Sequence, residues 1–291
     1  MPNIFRSHLL FLLMLVCLFG CSEAHFIDLL YAPEAEQWGV VGAVPPEIQE
    51  ILWSGSDELL RAAQEAHYTR YIDAGGIAII GSRFVDDEIF RMARDIVLEM
   101  TSKRPELREA LSPQMGHYQI LINGRFEELQ NIPEYADIEG KEPTPGRCVL
   151  PLYCYSMYWD HPYSPGNSRE TRFTGILEVF VHEFAHAIHV AIGVHRGLGK
   201  KPLDPGFDDR LLQAYENAVA LGIWSGEYTE TNYQEYWAEG VQAWYYLVTD
   251  SPHPIRKDQA FETYAAFAER DPLLVALLQE WFHETSFWGR Y

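Results

Sequence analysis

The stretch HEFAH, residues His182–His186, places two histidines four positions apart with Glu183 directly after the first. An α-helix turns about 100° per residue, so side chains at positions i and i+4 lie on one face, where two imidazole nitrogens can bind one metal ion. The intervening glutamate can then take a proton from a water molecule on that ion. The spacing therefore predicts a hydrolytic zinc site. The alternative is a buried helix whose two histidines only form hydrogen bonds in the core.

The residues that flank this stretch favour a helix. Apolar residues recur at spacings of four, three, four and four: Leu177, Val181, Phe184, Ile188 and Ile192. Such a stripe is typical of a helix with one buried face, and Gly193 is a suitable C-terminal stop. A third ligand from the same continuous helix reaches the metal poorly. We therefore expect His189 to be a packed or second-layer histidine and His195 to be a loop residue.

A carboxylate from a second helix can complete the site. The stretch NYQEYWAEGVQAW, Asn232–Trp244, carries Glu235 and Glu239 four positions apart. Trp237, Val241 and Trp244 recur at spacings of four and three, which indicates a buried face beside the two acids. The spacing alone leaves open which of the two glutamates binds the metal.

Taken together, these motifs resemble those of a known family. The run Ile176–His189, the residues LGIW at 221–224, Tyr228, and the stretch from Asn232 to Glu239 are similar to the catalytic domain of anthrax lethal factor and its secreted relatives. These proteins are zinc peptidases of the gluzincin type. The resemblance covers mainly residues 171–247 and joins two motifs about fifty residues apart. Lethal factor also carries large domains that select its substrate and receptor, so those properties do not transfer.

The resemblance implies a role for each matching residue of the metal site. His182, His186 and Glu235 would bind zinc, and Glu183 would be the general base. Glu239 would accept a hydrogen bond from the non-ligating nitrogen of a zinc-bound histidine and so fix its tautomer.

The resemblance also implies a role for a tyrosine. Tyr228, seven residues before Glu235, would donate its phenol to the oxyanion of the tetrahedral intermediate. A neutral hydrogen-bond donor held in place binds more strongly as negative charge develops on the oxygen of the scissile carbonyl. Tyr233 is the alternative donor.

The N-terminus has the layout of an export signal. One arginine precedes the apolar run Leu9–Phe19, which is shorter than the roughly 20 residues of a membrane-spanning helix. The residues LFGC at 18–21 resemble a bacterial lipobox, in which Cys21 becomes the lipidated first residue. We therefore predict a signal peptide at 1–20 and a product that is lipid-anchored to the cell envelope. Cleavage near Ala24, which would give a soluble secreted protein, is the alternative.

The other cysteines agree with an oxidising compartment. Cys17 would leave with the signal, and Cys148 and Cys154 would remain as a pair able to close a short disulfide.

Composition predicts one folded domain with an acidic surface. Hydrophobic residues make up 47 % of the chain, and we assign 21–44 to a tether and 45–291 to the catalytic domain. The net charge is −20, and loss of Arg6 with the signal gives −20 − 1 = −21. Such a surface repels nucleic acid and favours cationic peptides, although it is also consistent with a simple solubility adaptation.

The periodicity predicts a mainly helical α+β fold with a small sheet, and the resemblance implies that this fold is a zincin-like metallopeptidase domain. Predicted helices span 47–71, 86–103, 209–221, 232–248 and 258–281, and predicted strands span 76–81 and 118–122. Residues 133–165, rich in Pro, Gly and Tyr, are predicted to be a long irregular segment. This segment is either a wall of the substrate cleft or a surface loop.

The predicted function is an exported zinc-dependent endopeptidase that uses Zn²⁺ as its cofactor and a peptide or protein as its substrate. One alternative is an exopeptidase on the same metal site. The other is a noncatalytic, zinc-stabilised surface lipoprotein, which would need neither Glu183 nor Tyr228 and would tend to close the fourth zinc position.

Overall fold

The fold is given by a computed structural model that describes residues 39–111, 119–123, 132–133, 146–149, 153–157, 169–193, 201–247 and 263–284. The chain divides into two compact units, Met1–Val40 and Val41–Tyr291, and the elements below belong to the second. The predicted signal peptide, Cys21 and most of the predicted tether lie outside the described residues.

Helices predominate among the described elements, in agreement with the predicted mainly helical α+β class. The helices are α1 Pro46–Leu52, α2 Glu58–His67, α3 Asp87–Met100, α4 Glu106–Leu111, α5 Arg169–Ile192, α6 Phe207–Leu221, α7 Tyr233–Leu247, α8 Tyr264–Arg270 and α9 Pro272–Trp281, with a short 3₁₀ helix at Tyr228–Glu230. The strands are β1 Tyr68–Asp73, β2 Ala78–Ser82, β3 Gln119–Asn123, β4 Gly146–Val149 and β5 Tyr153–Met157. Within the described ranges no helix is both long and apolar enough to cross a membrane.

One mixed sheet joins the described strands in the order β1-β2-β3-β5-β4. β2, β3 and β5 run parallel, while β1 and β4 lie antiparallel to their neighbours β2 and β5. β2 is buried along its whole length. Ile79 belongs to the large core and Ile80 to a smaller cluster with Trp53 and Tyr68, as the alternation of side chains along a strand requires.

The two motif helices pack on each other in the large core. The apolar stripe of α5 is buried at Val181, Phe184, Ile188 and Ile192, and that of α7 at Trp237, Val241 and Trp244. Trp237 Nε1 donates a hydrogen bond to the Ala185 carbonyl across the interface, at 2.9 Å. This contact fixes the register between the helix that carries the histidines and the helix that carries the glutamates.

Three sequence predictions differ from the structure. The predicted helix 47–71 ends earlier, because Tyr68–Asp73 pairs with β2 as strand β1. The predicted irregular segment 133–165 contains the antiparallel strands β4 and β5. The predicted helix 258–281 is divided within its described part: α8 ends at Arg270 and α9 begins at Pro272. Proline lacks the N–H that a continuous helix needs and suits the first helical position instead.

The end of the predicted tether is also ordered. Gly42 and Tyr71 exchange backbone hydrogen bonds at 2.9 Å, so the chain joins the edge of β1 before the proposed boundary at residue 45. Val44 is 5 % exposed in the smaller core cluster.

Candidate metal centre

The structure brings together the three side chains that the sequence predicts as zinc ligands. His182 and His186 lie on α5, and Glu235 lies in the first turn of α7. Their ligand atoms form a nearly equilateral triangle. The distance between the two histidine Nε2 atoms is 3.2 Å, and Glu235 Oε2 is 3.1 Å from His182 Nε2 and 3.4 Å from His186 Nε2.

This triangle has the dimensions of one face of a zinc coordination tetrahedron. Ligand bonds of about 2.0–2.1 Å at the tetrahedral angle separate neighbouring ligand atoms by about 3.3–3.4 Å. The observed separations of 3.1 to 3.4 Å match this value without rearrangement of the backbone. Among the described residues, these three are the group able to hold a metal ion. Two neutral nitrogens with one carboxylate oxygen suit zinc and leave a fourth position for water.

Glu239 lies one turn beyond Glu235 and contacts the opposite edge of the same imidazole. Its Oε1 is 3.0 Å from His182 Nδ1, and the residue is only 7 % exposed. A proton on Nδ1 that is donated to Glu239 leaves the Nε2 lone pair directed at the triangle, which is the arrangement that orients a histidine ligand. The geometry therefore separates the two glutamates that the spacing left equivalent.

The electrostatics of the centre indicate a site built for positive charge. Burial lowers the pKa of His182, but hydrogen bonds to Glu235 and Glu239 outweigh it and raise that pKa to about 10. Burial raises the pKa of Glu235, but hydrogen bonds from both histidines outweigh it and hold that pKa far below its usual range. Burial also lowers the pKa of His186. Without a metal ion, the His182 imidazole thus favours its protonated, positively charged form beside the carboxylates of Glu235 and Glu239.

Glu183 follows His182 on α5 and is partly exposed. Its charge raises the pKa of both His182 and Tyr228. An acid in this position can receive a proton from a group at the fourth position of the metal.

The two candidate tyrosines occupy different environments. The rings of Tyr228 and His182 have centroids 6.4 Å apart, and Tyr228 is 58 % exposed above the site. Burial, the charge of Glu235 and a hydrogen bond to that carboxylate raise the pKa of Tyr228 to about 12, so its phenol keeps its proton. Tyr233 packs on the core, with its ring 5.9 Å from that of His189. The geometry favours Tyr228 as the donor at the site.

His189 is not part of the ligand triangle. Its Nε2 lies 2.9 Å from Asp208 Oδ1 on α6, and its ring packs against those of Phe207 and Trp237. A Cβ on Gly193 would lie 2.1 Å from the same Asp208 oxygen, so this contact requires the absence of a side chain at that position. His189 therefore joins α5 to α6, and Asp208 is a partner that the sequence patterns did not reveal. His195 lies outside the described residues.

No protein-family model, no curated protein and no solved structure matches this chain.

Proposed function

We propose that the chain is a zinc-dependent endopeptidase of the gluzincin type, with a zincin-like fold. The observation that supports this most strongly is the Nε2–Nε2–Oε2 triangle with edges of 3.1 to 3.4 Å. The mixed sheet packed on α5, with α7 packed on α5 in turn, is compatible with such a fold. A structural zinc site would tend to fill its fourth position with another protein ligand, whereas the centre here is bordered by an acid and a phenol.

Each side chain has a defined task in this proposal. His182, His186 and Glu235 would hold Zn²⁺, which supplies Lewis acidity and lowers the pKa of a bound water to about 7. Glu183 would accept the proton released when water attacks the peptide carbonyl, and would then deliver a proton to the leaving amine. Tyr228 would donate a hydrogen bond to the oxygen of the scissile carbonyl as negative charge develops there.

The substrate would be a peptide or protein, and the excess of acidic residues favours cationic segments through electrostatic steering. Export, with lipid attachment at Cys21 or release as a soluble protein, remains part of the proposal. It depends on residues outside the described ranges.

The test is digestion of a library of peptides blocked at both termini, with zinc, with a chelator, and with the Glu183→Gln variant. The wild-type chain should cleave internal bonds, and the chelator should abolish cleavage. Glu183→Gln should bind about one zinc per chain yet lose cleavage, because the amide cannot accept the proton.

Three other results would each favour a different account. Cleavage confined to unblocked termini would indicate an exopeptidase. Zinc binding without cleavage by the wild-type chain would indicate a noncatalytic zinc protein. Loss of zinc from Glu183→Gln would mean that Glu183 is a ligand.

A further inference from the structure

A buried aspartate links the two segments that carry Glu235 and Tyr228. Asp271 lies between α8 and α9, is 0 % exposed, and caps α9 by accepting a hydrogen bond from the Leu274 N–H at 3.3 Å. The same carboxylate also accepts a hydrogen bond from Trp224 Nε1 at 2.8 Å. The Tyr236 hydroxyl donates to both of its oxygens, at 2.9 Å each.

Helix capping alone does not account for this arrangement. Asp57 and Thr263 cap α2 and α8 with a single side-chain acceptor each, and both lie at the surface. Burial of a carboxylate is costly unless donors compensate for it. Hydrogen bonds from side chains of two other segments compensate for the burial of the Asp271 carboxylate, and these bonds connect both segments to the start of α9.

The first of these segments carries the tyrosine of the site. Trp224 is 8 % exposed, and its carbonyl accepts a hydrogen bond from the Glu227 N–H at 3.0 Å, immediately before the 3₁₀ helix that begins at Tyr228. The far end of the 3₁₀ helix is held by Tyr215, whose hydroxyl donates to the Glu230 carbonyl at 2.8 Å. The Trp224–Asp271 bond thus anchors one end of the segment that presents Tyr228.

The second segment carries the zinc ligand. Tyr236 is the next residue after Glu235 in the first turn of α7 and is 0 % exposed. Asn232 caps this turn, because its Oδ1 accepts hydrogen bonds from the Gln234 and Glu235 N–H groups at 2.9 Å each. The buried Tyr236 side chain adds a second anchor, on the core side, that limits rotation of the turn. The Tyr236–Asp271 bond therefore restricts the position of the Glu235 carboxylate relative to α5.

We propose that Asp271 is a positioning residue that sets the zinc ligand Glu235, through Tyr236, and the oxyanion donor Tyr228, through Trp224. This inference rests on the proposed function for the role of Tyr228, whereas its zinc-binding half stands without it. The two arms act separately, since each donor belongs to a different segment.

The experiment compares Tyr236→Phe with Trp224→Phe, two variants that each remove one donor from the same carboxylate. Tyr236→Phe should weaken zinc affinity by about tenfold, the lower end of the range for partners that orient metal ligands. Its kcat at saturating zinc should stay near the wild-type value. Trp224→Phe should keep its zinc affinity and lower kcat at saturating zinc by about tenfold, the lower end for loss of one oxyanion donor.

The control is Asp57→Ala, which removes the cap of α2 far from the site in sequence and should change neither quantity. Asp271→Asn should show both effects together, and all measurements are made well below the thermal midpoint of each variant. The proposal would be overturned if Tyr236→Phe and Trp224→Phe changed zinc affinity and kcat to the same extent, because a general loss of stability affects both quantities together. It would also be overturned if neither variant changed either quantity. If the wild-type chain has no peptidase activity, the proposed function fails, while the two zinc affinities still decide the Glu235 arm.

Discussion

At the scale of the residue, the His182 imidazole contacts two carboxylates through its two nitrogens. Nε2 faces Glu235 and Nδ1 faces Glu239. The motifs predicted which residue types gather here, since helical spacing sets which side chains share a face. The helical spacing alone did not distinguish the two glutamates, which only the family resemblance assigned. Both lie on one face of α7, and the packing of α7 on α5 decides which of them reaches Nε2.

The raised pKa of His182 predicts that zinc binding releases a proton. The metal-free imidazole, with a pKa of about 10 against an ordinary value of 6.5, is protonated at pH 7.5, whereas zinc requires its neutral form. Its charged contacts stabilise the metal-free fold fully below about pH 6.5, and this contribution is lost as the pH rises through about 10. Zinc affinity should therefore rise by about tenfold per pH unit below pH 7, and more steeply above it as the zinc-bound water also ionises.

Calorimetric titration of the metal-free chain in two buffers of different ionisation enthalpy measures this proton count. We expect about one to two protons per zinc at pH 7.5, one from His182 and a further fraction from a zinc-bound water with a pKa of about 7. Glu239→Gln removes a charge that raises the pKa of His182, so it should release less. A wild-type count below one would show that His182 is already neutral.

Tyr228 gives a prediction for the chemical step. Tyr228→Phe removes the phenol donor and should lower kcat by roughly ten- to a thousandfold, the range for loss of one oxyanion-hole donor, while zinc content stays unchanged. Tyr233→Phe is the matched control, since Tyr233 packs against His189 on the core side. Steady-state kinetics on the best library peptide measures both. An unchanged rate for Tyr228→Phe with a loss in Tyr233→Phe would reverse the assignment.

At the scale of the element, the amphipathic helices were predictable and the short strands β4 and β5 were not. The apolar stripe of α3 was predicted over 86–103 and is buried from Ile89 to Met100. It was predictable because the residues that a helix buries on one face recur every three to four positions. β4 and β5 are four and five residues long among Pro, Gly and Tyr residues. So short a strand shows little alternation, and its pairing depends on partners distant in sequence.

The split between α8 and α9 had a local signal. Asp271 followed by Pro272 is a typical helix start, with a capping acid before a proline at the first helical position. The apolar periodicity continues across residues 270–272, so it predicted one uninterrupted helix there. The buried role of Asp271 was not predictable, because its partners Trp224 and Tyr236 lie 47 and 35 residues away in sequence.

The β4–β5 pair bears on a question that the sequence left open, which is whether Cys148 and Cys154 form a disulfide. The antiparallel register places Cys148 directly opposite Cys154, and directly opposed positions have Cα atoms about 4.5–5.5 Å apart, within the range that a disulfide needs. We expect chain made in an oxidising compartment to resist alkylation at both cysteines until it is reduced. The bridge closes a short loop, so reduction should destabilise the fold by about 2 kcal/mol.

Peptide mass mapping after alkylation, with and without prior reduction, measures the pairing. Cys148→Ser serves as the control, because it should leave Cys154 open to alkylation under both conditions. Full alkylation of both cysteines in the unreduced wild-type chain would contradict the prediction.

At the scale of the whole molecule, the metal centre draws on segments that are far apart in the chain. α5 supplies the histidines, α7 supplies the glutamates, and the segment around the 3₁₀ helix supplies the phenol. The buried faces of α5 and α7 join the centre to the same large core that covers one side of the sheet. The site therefore depends on the folded state of the whole unit, while the net charge of −20 describes the surface and says nothing of the fold.

The most direct test of this account is anomalous scattering at the zinc absorption edge from crystals of the zinc-loaded chain. We predict one peak about 2.0–2.2 Å from His182 Nε2, His186 Nε2 and a carboxylate oxygen of Glu235. Glu239 should remain on Nδ1 of His182. A zinc peak bound by Glu239 in place of Glu235, or no peak between the two histidines, would contradict the central claim.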